Sequence, residues 1–78
     1  MTNKHKIYTN LTSSQDIDAG FLSGSVINRG AANAIITIGG SSFVLPTGVY
    51  YNFDFNGKYY EQCNINATGT IVEAIFTY

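Results

Sequence analysis

Residues 48–65, GVYYNFDFNGKYYEQCNI, set eight large aromatic or aliphatic side chains around a single Asn56-Gly57 pair. Both turn residues tolerate positive φ, and Asn-Gly between two such runs is a strong hairpin signal. The stretch therefore predicts a β-hairpin, in one of two registers. A two-residue loop would pair Phe55 with Lys58 and set Val49, Tyr51 and Phe53 beside Tyr60, Gln62 and Asn64. A three-residue loop, Phe55-Asn56-Gly57 with Gly57 left-handed, would pair Asp54 with Lys58. It would set Val49, Tyr51 and Phe53 beside Tyr59, Glu61, Cys63 and Ile65. A one-residue slip moves every side chain to the other face, so the register that separates apolar from polar is favoured. The three-residue loop does so, and its Asp54–Lys58 pair adds about 0.2–1 kcal/mol. Its one cost is Glu61 on the apolar face.

In that register the reverse face carries Tyr50, Asn52 and Asp54 with Lys58, Tyr60, Gln62 and Asn64. Amphipathic rings with amide groups between them make Tyr50, Asn52, Asp54, Tyr60, Gln62 and Asn64 a candidate interaction face. Contact with another protein chain is the preferred use. The rings merely covering a second sheet comes next, and stacking on sugars beside Asn and Asp comes third.

A chain of 78 residues makes one domain, near the size where a single core is only marginally stabilising. Nine Ile and four Val against three Leu and six Ala favour strands. No window keeps apolar residues at i, i+3, i+4 and i+7, so no helix is expected. There is no run of 18 apolar residues and no apolar segment after Lys4 and Lys6, so neither a membrane span nor a secretory signal is expected. A net charge of −1 with four basic residues speaks against nucleic acid, which needs a basic stripe.

Charge is unevenly spread. Residues 1–19 hold the only His, two of three Lys and two of three Asp, whereas residues 20–78 carry only Arg29, Asp54, Lys58, Glu61 and Glu73. A soluble surface is ordinarily about a quarter to a third charged. So small a chain cannot hide its uncharged surface internally, and interface cores are poor in charge and rich in Tyr and Phe. The expectation is a homo-oligomer, or a chain covered by other proteins.

Residues 1–19 read as a polar arm with a short strand at 6–11 and a loop through 12–15, docking on a neighbouring subunit. Residues 21–28, FLSGSVIN, read as a strand with Gly24 as a bulge. Residues 33–38, NAIITI, read as a strand buried on both faces. Gly39-Gly40 then predicts a tight hairpin into residues 41–45. Pro46-Thr47-Gly48 predicts a turn with Pro at its second position, and Asn66-Ala67-Thr68-Gly69 another. The last strand, residues 70–78, places Val72, Ala74, Phe76 and Tyr78 on one face and Ile71 and Ile75 on the other. Six to seven short strands at this spacing predict a small antiparallel β-sandwich or barrel over residues 20–78.

Catalytic chemistry is poorly supplied. Cys63 is the only cysteine, so no intramolecular disulfide or cysteine zinc site can form, and it reads as an inert core residue. His5 has no second His. Asp16-Ile17-Asp18-Ala19-Gly20 imitates the start of a calcium loop but lacks the further oxygen ligands and bidentate Glu. It reads as an ordinary turn. Gly39-Gly40-Ser41 follows a strand but precedes no helix, so it does not read as a phosphate cradle. Asn10-Leu11-Thr12 and Asn66-Ala67-Thr68 match the glycosylation acceptor, read here as chance matches. Glu73 has no evident partner, and no nucleophile–base set assembles. The expectation is a protein with no cofactor or metal, and not an enzyme.

The segments SGSVINRG, ITIGGSSFVLPTG and NATGTIVEAIFTY, with few charges and many Gly, Asn and Thr, resemble small all-β structural modules of tailed-bacteriophage particles. These include capsid decoration, auxiliary and head-fibre proteins. The resemblance spans about residues 20–78 and implies a non-enzymatic virion component, assembled in the host cytoplasm on a capsid or as a symmetric oligomer. It carries no functional residues over. The alternative reading is a small carbohydrate-binding module using the Tyr50/Tyr60 face.

Overall fold

The computed structural model describes residues 4–78. Eight strands follow one another: β1 His5–Leu11, β2 Ser14–Ile17, β3 Ser23–Asn28, β4 Ala34–Ile38, β5 Ser41–Leu45, β6 Tyr50–Phe53, β7 Cys63–Asn66 and β8 Val72–Thr77. They form two four-stranded sheets, ordered β1-β8-β3-β6 and β2-β7-β4-β5. All paired neighbours are antiparallel. The result is an all-β sandwich with the strand order of a jelly roll. Only the β4–β5 connection stays within one sheet; every other connection crosses between sheets.

That crossing overturns the aromatic hairpin. β6 pairs with β3, while β7 lies in the opposite sheet between β2 and β4. The Asn56-Gly57 turn does form: Gly57 has φ 83°, and the Lys58 N–H donates to Asn56 Oδ1 at 3.0 Å. Residues 54–62, however, are a long crossover rather than a tight loop. Asp54 and Lys58 are therefore not cross-strand partners, and the ion pairs among the described residues are Lys6–Asp18 and Arg29–Glu73. Glu73 thus has a partner after all.

The β4–β5 hairpin matches its expectation. Ile38 pairs with Ser41 across Gly39 and Gly40, whose φ values of 59° and 77° suit a two-residue primed turn. In the 46–49 turn the Val49 N–H donates to Pro46 O, so Pro46 occupies the first position rather than the second, and Gly48 supplies the positive φ. β4 is buried on one face only: Ala34 and Ile36 point inward, and Ile35 is exposed. Gly24 makes no bulge. It sits in register opposite Phe53 and Phe76, and a Cβ there would run into the Phe76 ring.

The polar arm is, over its described part, two strands of the sandwich. β1 edges the first sheet against β8, and β2 edges the second against β7. Ile17, at the end of β2, is fully buried. Asn10 takes φ 55° at an irregularity between Tyr8 and Leu11, which lets both side chains pack on the core. Residues 1–3 of the expected arm lie outside the described residues. The domain therefore takes in both sides of the expected 19/20 boundary.

The two inner faces meet in a core of Ile17, Phe21, Val26, Ile36, Phe53, Ile65, Val72 and Phe76 with smaller neighbours. Phe21, on the β2–β3 connection, stacks on Tyr60 with centroids 5.0 Å apart and meets Phe76 edge-on at 4.8 Å. Among the described residues, Asn28 is the one fully buried polar side chain of any size. Its Nδ2 donates to Ala32 O and Leu45 O at 2.7 and 2.8 Å, and its Oδ1 accepts from Thr70 Oγ1 and the Gly30 N–H at 2.7 and 3.1 Å. One amide ties together three connections at one end of the sandwich.

Candidate functional site

The six residues expected to share an interaction face do not share one. Tyr50, Asn52 and Asp54 lie on the outer side of β6 and just beyond it. Asn64 lies on the outer side of β7, in the other sheet, where its Nδ2 donates to Asp16 Oδ1 at 2.8 Å and Ser14 Oγ at 2.9 Å. Gln62 is exposed just before β7. Tyr60 is drawn to the core margin: its ring stacks on Phe21, its hydroxyl donates to Asp54 O at 2.6 Å, and its backbone bonds Gly20 and Phe21. Tyr50 and Tyr60 therefore form no paired platform.

What β6 joins is the outer face of the first sheet. Strand alternation sends Val26, Val72, Ala74 and Phe76 inward, so the residues between them point out. Register then sets Ile7 beside Ile75, Ile75 beside Ser25, and Ser25 beside Asn52. One row along, Glu73 neighbours Ile27 and Ile27 neighbours Tyr50. Ile7 is 66% exposed, Tyr50 62% and Ile75 40%. Two shallow grooves meet at Ser25 and Ile75. One is lined by Ile7, Ile27 and Ile75, the other by His5, Asn52, Asp54 and Phe55. Several polar members are paired: His5 Nδ1 with Thr77 Oγ1 at 3.1 Å, Ser25 Oγ with Asn52 Oδ1 at 2.8 Å, and Glu73 with Arg29 at 3.1 Å.

Between these polar pairs runs an apolar stripe, the part of this face with unmet burial. Nothing in the hairpin reading pointed to Ile7, Ile27 and Ile75 as a group. Their signal was present as the outward set of each strand, but only the pairing of β1, β8 and β3 makes them neighbours.

The titratable groups do not converge. Among the described residues no three His, Cys, Asp or Glu side chains gather in a way that could hold a metal ion. The Asp16–Gly20 segment uses its carboxylates elsewhere, Asp16 on Asn64 and Asp18 on Lys6 at 2.7 Å. Cys63 is buried, and burial pushes its thiol up from 9.0 to about 11. A thiol whose folded pKa is raised contributes stability that is complete below pH 9 and is lost as pH rises from 9 to 11, because the unfolded chain ionises first. Labelling of Cys63 at pH 8 should be slow in the native chain and fast in denaturant. Equally fast labelling in both would contradict the buried placement.

No protein-family model matches the sequence, and no curated protein matches it. Solved structures do match in shape. A cupin-2 domain containing protein from Shewanella frigidimarina superposes with a TM-score of 0.61 at 11% identity, over 95% of this chain and 68% of the other. A de novo designed double-stranded β-helix superposes with a TM-score of 0.51 at 16% identity, over the full length of both. At such identities the likeness concerns the fold alone. No helix is long and apolar enough to cross a membrane among the described residues.

Proposed function

We propose that this chain is a non-enzymatic assembly module that packs against copies of itself, in the manner of the virion structural proteins its sequence resembles. The fold does not choose: jelly rolls serve capsid proteins, lectins and cupins alike, and function lives in the site. The observation that carries the reading is the apolar stripe of Ile7, Ile27, Ile75 and Tyr50 on the outer face of the first sheet. Exposed contiguous apolar surface on a small domain marks an interaction site. The non-enzymatic part is supported by titratable groups that do not converge, several of them engaged elsewhere: His5 with Thr77, Lys6 with Asp18, Arg29 with Glu73.

Replacing Ile75 with Lys tests the reading. The side chain points to solvent, so the fold should change by less than about 1 kcal/mol. A cation in the centre of a self-packing face should weaken association by about 2 kcal/mol or more, roughly 30-fold. Dilution series by light scattering would read this. An unchanged association constant would remove the face from the interface.

A further inference from the structure

Face packing alone is small. Four strands about 4.8 Å apart and seven residues at about 3.3 Å each give a face of roughly 450 Å². A standard interface needs about 800 Å² per partner. Assembly therefore calls for a second contact, and the sheet edges differ sharply in what they offer.

Each sheet has two open edges, β1 and β6 in the first, β2 and β5 in the second. Proteins guard open edges with charge, proline or bulges, because an unguarded edge pairs with another chain. β1 is guarded by Lys4, His5 and Lys6 and by the irregularity at Asn10, and β2 by Asp16 and Asp18. On the opposite side no charge or bulge guards the edge, and the one proline, Pro46, follows β5 rather than lying in it. Residues 30–53, which contain β4, β5 and β6, include no Asp, Glu, Lys, Arg or His. β6 is short and runs directly into Asp54. β5, Ser41–Leu45, is five regular residues, SSFVL, with Val44 53% exposed.

We infer that β5 is the edge at which a second copy of this chain docks, by antiparallel pairing of β5 with its own counterpart across a two-fold axis at Phe43. This rests on the assembly reading and names its contact. The hairpin register fixes the geometry. Residues flanking a two-residue loop exchange both hydrogen bonds, so Ser41, Phe43 and Leu45 turn their backbone groups to β4. Ser42 and Val44 turn theirs outward. An antiparallel copy then pairs Ser42 with the other Val44 and Val44 with the other Ser42, and sets the two Phe43 side chains opposite each other. An uncharged strand is complementary to itself in this arrangement, whereas self-pairing of β1 would oppose cations. Two second sheets would merge into one continuous sheet. Each Phe43, already 4.8 Å from Tyr51, would gain cover at the open side of the sandwich.

The test is Val44→Pro, with Ser42→Lys as a second variant, both measured against the unchanged chain by light scattering over a dilution series. Proline at Val44 removes an outward N–H and no β4–β5 bond, as edge strands tolerate. Lysine at Ser42 keeps the N–H but brings two cations to the seam. Both variants should keep the far-UV β signal while the dissociation constant rises at least tenfold. Folded variants that associate like the parent overturn the edge proposal. If Ile75→Lys then dissociates the assembly, the assembly reading stands without the edge. A parent chain that is monomeric throughout overturns both.

Discussion

Replacing Asn28 with Ala should lower the melting temperature by about 15 °C or more, the largest effect expected of any single polar substitution in the chain. The amide is fully buried and uses both donors and both acceptor positions. Its removal leaves the Gly30 N–H and the Thr70 hydroxyl without this partner. It also takes one of two bonds from the carbonyl of Ala32, which also accepts from Thr47 Oγ1 at 3.4 Å, and from that of Leu45, which also faces β4. A buried polar group left unpaired costs about 1–3 kcal/mol, so partial rescue by water still leaves about 3–5 kcal/mol. A domain of this size holds only about 4–12 kcal/mol in total, and each kcal/mol moves its midpoint by about 4–8 °C. Gly30 cannot move in to compensate, because its backbone already lies against Thr70 and Ile71. Asn28→Asp sharpens the test. It keeps shape but aims a carboxylate at two carbonyls, so its pKa should rise and its stability should recover as pH falls and fail as pH rises. An Asn28→Ala chain melting within a few degrees of the parent would show that this end of the sandwich is held some other way.

Phe21→Ala should cost about 3–5 kcal/mol, the range for deleting a buried phenylalanine. Phe21 belongs to no strand, yet its ring contacts Phe53, Tyr60, Phe76 and Tyr78. It also anchors the 54–62 crossover, since the Tyr60 N–H donates to Phe21 O and the Gly20 N–H to Tyr60 O, at 2.9 and 2.8 Å. Its loss should therefore reduce near-ultraviolet tyrosine signal as well as stability. Phe55→Ala is the control: Phe55 lies in the same crossover but is exposed, and its loss should stay within about 0.5 kcal/mol. Chemical denaturation of the three chains measures both. Equal effects at Phe21 and Phe55 would contradict the core assignment.

The contrast between those two phenylalanines shows what the sequence could reveal. Alternation was legible. Val72, Ala74 and Phe76 turn inward, as do Phe53, Cys63 and Ile65, and Ile71 and Ile75 turn out. The Gly39-Gly40 hairpin was legible too, because its pairing is local and its backbone demands are specific. Partnership between distant strands was not. Asn56-Gly57 signals a turn, and a turn is what it makes, but alternating side chains report a face and never a neighbour. β6 found β3, and β7 found β2 and β4, through contacts that no short window contains. The same blindness dissolved the Tyr50/Tyr60 face and hid the stripe of Ile7, Ile27 and Ile75, which exists only once β1 and β3 flank β8. Residues 4–19 looked like an arm because their charges are edge protection, a role that depends on a sheet being there.

Self-association is what the apolar stripe and the open β5 edge require, and the mass of the unmodified chain in solution tests it most directly. At tens of micromolar, light scattering should return a multiple of the 8.5 kDa chain mass, falling on dilution with a midpoint in the micromolar range, about 8 kcal/mol of association. A single 8.5 kDa species across that whole range would contradict it.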